Sequence, residues 1–79
     1  MKTPNTQAPR IQNVSLSLVV AAFNEEDVIE QSTAEIVDYL KNNIESWQLI
    51  LVSDGSTDRT GEIIDRLAAS IPHTTALHL

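Results

Sequence analysis

The sequence predicts an α/β chain in the order β-α-β-α-β, built on a parallel three-stranded sheet. Apolar runs of strand length recur over residues 14–23, 47–52 and 75–79, and an apolar stripe of helical period fills each gap. The first two runs end in short polar, acid-rich stretches, Phe23-Asn24-Glu25-Glu26 and Ser53-Asp54-Gly55-Ser56-Thr57-Asp58. Strands alternating with helices join through right-handed crossovers, and the simplest strand order is 3-2-1. Two crossovers in the same direction place both helices on one face of the sheet. The other face is left bare, although parallel sheets are ordinarily covered on both sides. The expectation is therefore a truncated N-terminal part of a larger domain over residues 14–79. It would be completed by the missing C-terminal part or by a homo-oligomer partner.

Each element has its own local reason. Residues 14–23, Val-Ser-Leu-Ser-Leu-Val-Val-Ala-Ala-Phe, begin by alternating and end continuously apolar, as in a strand that becomes buried on both faces. Asn24 stops the run. Followed by Glu25, Glu26 and Asp27, it reads as a helix N-cap with three carboxylates at the positive end of the dipole. Ile29, Thr33, Ile36, Val37, Leu40 and Ile44 then define one stripe, and Asn42 and Asn43 are terminators. Leu49 to Val52 form the apolar centre of the second strand. The turn after it carries Gly55, which is free to take positive φ. The second helix is expected over 58–70, with Ile64, Leu67, Ala68 and Ile71 on one face and Pro72 ending it. Gly61 near its start costs about 1 kcal/mol relative to alanine, so something must pack closely there. Residues 1–13, rich in Thr, Pro, Asn and Gln, read as a disordered leader.

Composition removes several classes of function. A chain of 79 residues makes one small domain. At this size only about 60% of the unfolded surface is buried, so the core is marginal. It has no cysteine, hence no disulfide and no thiolate metal site, which fits a cytoplasmic chain. With a net charge of −6 and only five Lys and Arg, no nucleic-acid groove is expected. No apolar run approaches the roughly 20 residues that span a bilayer.

The carboxyl edge of a parallel sheet is where open α/β folds bind ligands, and both polar stretches fall there. Asp54 stands at the end of a buried strand, where a carboxylate has no packing role; it can accept from a base N–H or ligate a metal. Ala21-Ala22-Phe23-Asn24 has none of the glycines of a dinucleotide fingerprint, and no Gly-Lys-Ser/Thr makes a phosphate loop. His73 and His78 follow the second helix and are expected at the opposite edge of the sheet, away from Ser56. Tyr39 and Trp47 read as packing residues. A different reading is a non-catalytic α/β binding or regulatory module of receiver type, with Asp54 as a phospho-acceptor. Receiver domains, however, put further acids at the end of the first strand, whereas Glu25 and Glu26 here open a helix.

Residues 16–40, LSLVVAAFNEEDVIEQSTAEIVDYL, and the later WQLILVSDGSTDRTGEII closely resemble the opening of family 2 glycosyltransferases. The polyprenyl-phosphate glycosyltransferases, which include dolichyl-phosphate mannose synthases, are the nearest branch. The resemblance runs over nearly all of residues 15–79. It implies the Rossmann-like half of a GT-A fold. It also implies an inverting enzyme that moves a sugar from a nucleoside-diphosphate sugar to an acceptor such as a polyprenyl phosphate. By carry-over, Ala22, Phe23, Asn24 and Glu25 border the nucleoside, Asp54 meets the base or lies near the metal, and Gly55 and Ser56 shape the turn. Asp58 caps the helix. The chain departs from the family at Ala21, where Pro is common, and at Phe23, where Tyr is common. Ser53 replaces the first of two acids, leaving Asp54 alone. The family's Asp-x-Asp metal motif and catalytic base come later than Leu79. Mg²⁺ or Mn²⁺ is thus expected of the complete enzyme, and these residues alone are expected to be inactive. The implied location is the cytoplasm or the cytoplasmic face of a membrane.

Overall fold

The computed structural model describes residues 11–79, with side chains from Ser15 onward. Its elements are β1 (Ile11–Ala22), α1 (Ile29–Asn43), β2 (Ile44–Ser53), α2 (Thr60–Ser70) and β3 (Thr74–His78). The sheet has the order β1-β2-β3 and both pairings are parallel, the architecture and strand order that the sequence predicts. Residues 1–10 of the expected leader lie outside the described residues, and β1 begins at Ile11. Its register against β2 is irregular between Ile11 and Ser15, then regular from Ser15↔Ser46 to Ala22↔Ser53.

Alternation along the strands sorts the two faces. Leu18↔Leu49, Val20↔Leu51 and Ala22↔Ser53 lie on one face. Leu49 and Leu51 there are sealed against Ile29 of α1 and Ile63, Ile64 and Leu67 of α2, so both helices cover the same side. Each such buried aliphatic side chain contributes about 1.5–3 kcal/mol. On the other face Val19 and Leu77 are 60% and 49% exposed, on either side of Ile50 and Val52 of the central strand. No described element covers that face.

Several boundaries differ from the expected ones. α1 does not start at Asn24 but at Ile29, with Val28 at the N-cap and no side-chain cap. The reason is local: the Asn24 side chain is engaged across the sheet edge, and residues 25–28 form a turn in which the Val28 and Ile29 N–H groups donate to Glu25 O. Ile44 is the first residue of β2 rather than the last of the helical stripe; α1 passes into the strand without a loop, and Ile44 stays buried. At that junction the Asn43 side-chain amide donates to Tyr39 O at 2.8 Å, a terminating contact of the kind expected of the asparagines. α2 starts at Thr60, two residues after the expected Asp58, and buries Ile63 together with Ile64 and Leu67.

The close approach predicted at Gly61 is present. A Cβ there would meet His78 Cε1 at 3.3 Å and Ser53 Oγ at 3.4 Å. Gly61 thus lets α2 lie close to the ends of β2 and β3, just below the carboxyl edge.

Candidate functional site at the carboxyl edge

The two loops at this edge hold each other through their backbones. Three consecutive N–H groups of the first loop donate to side chains of the second. Asn24 N–H donates to Ser56 Oγ (3.1 Å), Glu25 N–H to Thr60 Oγ1 (2.8 Å) and Glu26 N–H to Asp58 Oδ2 (3.2 Å). The second loop answers with two backbone donors, Thr57 N–H to Asn24 Oδ1 (2.8 Å) and Arg59 N–H to Glu26 Oε1 (3.1 Å). The N–H groups freed where a strand ends need partners, and each loop supplies them to the other.

Asp58 and Thr60 anchor this clasp. Thr60 is fully buried; its N–H and hydroxyl both donate to Asp58 Oδ1, at 2.9 and 2.5 Å. Asp58 is not the cap expected of it: Arg59 is the N-cap of α2 and makes no side-chain cap, while Asp58, one position earlier, accepts from the N–H of Thr60, the first helical residue. Desolvation by the packed loops opposes its ionisation. The hydrogen bonds from the Thr60 hydroxyl and from the N–H groups of Thr60, Glu26 and Asp58 itself outweigh that, so its carboxyl titrates below the usual aspartate range.

What the clasp leaves free is a short list. Asp54 follows β2 directly, and its N–H donates to Ala22 O (3.2 Å), which sets it beside the end of β1. Its carboxylate is exposed and has no partner among the described residues. Phe23, one residue past β1, is 56% exposed. Gly55 has φ +71° with open space around it, so a side chain there would strain the backbone rather than clash.

Of the residues singled out in the sequence, Ala22 is a buried core residue ending β1. Asn24 has φ +52° and is the clasp's donor and acceptor, not a helix cap. Glu25 contributes its N–H to Thr60 and leaves its exposed carboxylate free, while Ser56 accepts from Asn24. Phe23, Asp54 and Gly55 are not engaged by side chains across the clasp. His73 lies at the far edge, before β3, where its ring meets Trp47 edge-on at 5.4 Å. His78 corrects the expectation: it pairs with Ser53 at the carboxyl edge, and its Nε2 lies 2.7 Å from Asp65 Oδ1. Five residues between Pro72 and His78 are enough to carry the chain across the sheet, because β3 starts almost at once after α2. Sequence reasoning did not single out Thr60. The signal was present as a threonine two residues after an acid at a helix start.

Among the described residues no group of three or more His, Cys, Asp or Glu is arranged to hold a metal. Asp54 offers one carboxylate and no neighbour completes a set, so no chemistry through a cation can be derived from these residues.

A parallel sheet with two loops clasped together at its carboxyl edge has the layout of open α/β proteins, in which that edge is the usual place for a ligand. Comparison with known proteins gives the family. The sequence model described as Glycosyl transferase family 2 matches residues 17–79, and the chain belongs to that family. It is 37% identical over 71 residues to dolichyl-phosphate beta-glucosyltransferase ALG5A of Trichomonas vaginalis, across 84% of this chain and 22% of that protein. It is 46% identical over 54 residues to dodecaprenyl-phosphate galacturonate synthase of Rhizobium johnstonii, across 63% of this chain and 15% of that protein. Glycosyltransferase AglD of Haloferax volcanii is 38% identical over 58 residues, 71% of this chain and 9% of that protein. The chain thus spans about a fifth or less of the length of these relatives. None of its described helices is long and apolar enough to cross a membrane.

Proposed function

We propose that this chain forms the nucleoside-binding wall of an inverting glycosyltransferase that takes its sugar from a nucleoside diphosphate and delivers it to a polyprenyl phosphate. The observation that carries this reading is Asp54. It is a carboxylate exposed at the carboxyl edge, without a protein partner, on a loop that the clasp makes rigid. A side-chain carboxyl placed in this way accepts from a base N–H or a ribose hydroxyl without first giving up another bond. Phe23, half exposed beside it, offers a ring face for the base or sugar ring to stack on. The relatives named for dolichyl and dodecaprenyl phosphates support the polyprenyl acceptor, and with it action at the cytoplasmic face of a membrane.

A divalent cation, Mg²⁺ or Mn²⁺, belongs to the complete enzyme in this reading, as do the acceptor site and the catalytic base. Neutralising a leaving diphosphate and deprotonating an acceptor are assigned in this reading to residues of the complete enzyme. The described residues bind and orient; they do not turn over.

Titration with UDP and with GDP in the presence of Mn²⁺, followed by backbone amide shifts, tests the reading. One of the two should move the amides of Phe23, Asp54 and Gly55. Asp54→Asn should weaken that binding about tenfold or more, the size expected for losing a hydrogen bond to a charged group. Shifts confined to other parts of the chain, or an Asp54→Asn variant with unchanged affinity, would assign Asp54 to the turn alone. Release of nucleoside diphosphate from a nucleotide-sugar by the purified chain would overturn its inactivity.

A further inference from the structure

We infer that Asn24 is a positioning residue of the proposed nucleoside site, fixing through Thr57 the loops next to Phe23 and Asp54 without itself touching the ligand. The inference rests on the nucleoside-binding reading above and goes beyond it by separating the residues of the first loop into two roles.

The backbone of Asn24 comes first. Its φ of +52° lies in the left-handed region, which asparagine tolerates better than other residues with a side chain. That conformation turns the chain out of β1 directly after Phe23 and points the Asn24 N–H at Ser56 Oγ, 3.1 Å away. The side chain then closes the loop from the other side. Its Oδ1 accepts from Thr57 N–H at 2.8 Å and from Thr57 Oγ1 at 3.3 Å. An amide oxygen has two lone pairs, and both are used. One residue therefore joins the positions immediately following Phe23 to the positions immediately following Gly55. Between them these bonds fix the loop segments next to both Phe23 and Asp54.

Neighbouring contacts divide the labour in the same way. Glu25 and Glu26 donate their N–H groups to Thr60 and Asp58, so the clasp continues away from the sheet edge toward α2. Asn24 is the clasp residue that follows Phe23 directly in the chain. A polar residue whose acceptor is filled by the protein contributes to binding by holding others in place, and the entropy of ordering the loops is met on folding rather than on binding.

Two substitutions separate positioning from contact. Asn24→Gly keeps the left-handed backbone and removes Oδ1. Asn24→Asp keeps the acceptor oxygens and removes the amide N–H₂, the only part of the side chain left to meet a ligand. The measurements are nucleotide affinity, by titration with UDP and GDP plus Mn²⁺, and hydrogen exchange of the Thr57 amide in the free chain. Asn24→Gly should lose about tenfold in affinity, the loss of roughly one well-made hydrogen bond, and Thr57 should exchange faster. Asn24→Asp should restore affinity to within about threefold and restore Thr57 protection. Loss of affinity in Asn24→Asp with Thr57 still protected would make Asn24 a ligand contact and overturn the assignment. So would an Asn24→Gly chain that binds as tightly as the wild type with only its denaturation midpoint lowered. Should Asn24→Gly fail to fold, Asn24→Asp alone decides between these outcomes. Should the wild type bind neither nucleotide, the nucleoside reading fails. The positioning role is then judged by the free chain, where unchanged Thr57 exchange and unchanged Phe23 and Asp54 amides in Asn24→Gly would overturn it.

Discussion

Thr33 and Thr60 are both buried, at 1% and 0% exposure, yet they belong to regions built on different terms. Thr60, at the start of α2 and under the carboxyl edge, has its hydroxyl engaged on both sides: it accepts from Glu25 N–H and donates to Asp58 Oδ1. Thr33, in the second turn of α1, has a hydroxyl oxygen with no hydrogen-bond partner among the described residues. One threonine is there for its hydroxyl; the other occupies a place in the apolar stripe between Ile29 and Ile36–Val37, where volume and shape are what the packing uses. The edge satisfies its polar groups because the loops have little apolar area to hold them. The helix layer tolerates an unpartnered hydroxyl because the surrounding burial stabilises it.

The same substitution should therefore have opposite signs at the two sites. Thr60→Val keeps volume but leaves the Glu25 N–H without its acceptor and takes from the Asp58 carboxylate one of its donors, the Thr60 hydroxyl. It should destabilise by about 1–3 kcal/mol, seen as a lower midpoint in urea with an unchanged slope. Because Asp54 and Phe23 lie on the same clasped loops, their amide shifts should move as well. Thr33→Val removes a desolvated hydroxyl that makes no bond and should be neutral to stabilising, by up to about 1 kcal/mol. An equal loss at the two positions would end the distinction between edge and layer. It would also mean that the Thr33 hydroxyl has a partner after all.

The contrast also explains what could be read from the chain alone. Parallel order, helix faces and the open side of the sheet follow from where Leu49, Leu51, Ile64 and Leu67 fall. Apolar periodicity is a strong signal because burial acts on every residue of an element. The close packing at Gly61 was legible for a related reason, since a glycine near a helix start needs a neighbour to justify it. Asn24 was not legible in the same way. An asparagine before three acids reads as a helix cap, and nothing local reveals that its oxygen is taken by Thr57, 33 residues later. His78 was misplaced for a simpler reason, the length of the crossing after Pro72, which periodicity does not report. The acids of the second loop had two readings, ligand groups or caps. Geometry divides them, leaving Asp54 free and Asp58 bonded.

The place of Asp58 in the clasp has a pH signature, the smallest effect expected. The folded chain holds the Asp58 carboxyl below its ordinary value because the charged form accepts from Thr60 and from Glu26 N–H. A group whose pKa is lower in the folded state binds its proton more readily when unfolded. It therefore adds stability that is fully present above the unfolded value of about 4 and is lost as pH falls through the folded value. Asp58→Asn removes this component at every pH. The stability difference between wild type and Asp58→Asn should be constant from neutral pH down to about 4 and shrink below it. Chemical denaturation of the two chains at a few pH values on either side of 4 reads the difference. A difference that stays constant well below pH 4 would mean that the Thr60 and Glu26 donors do not favour the charged form of Asp58, and the clasp would lose the anchor assigned to it.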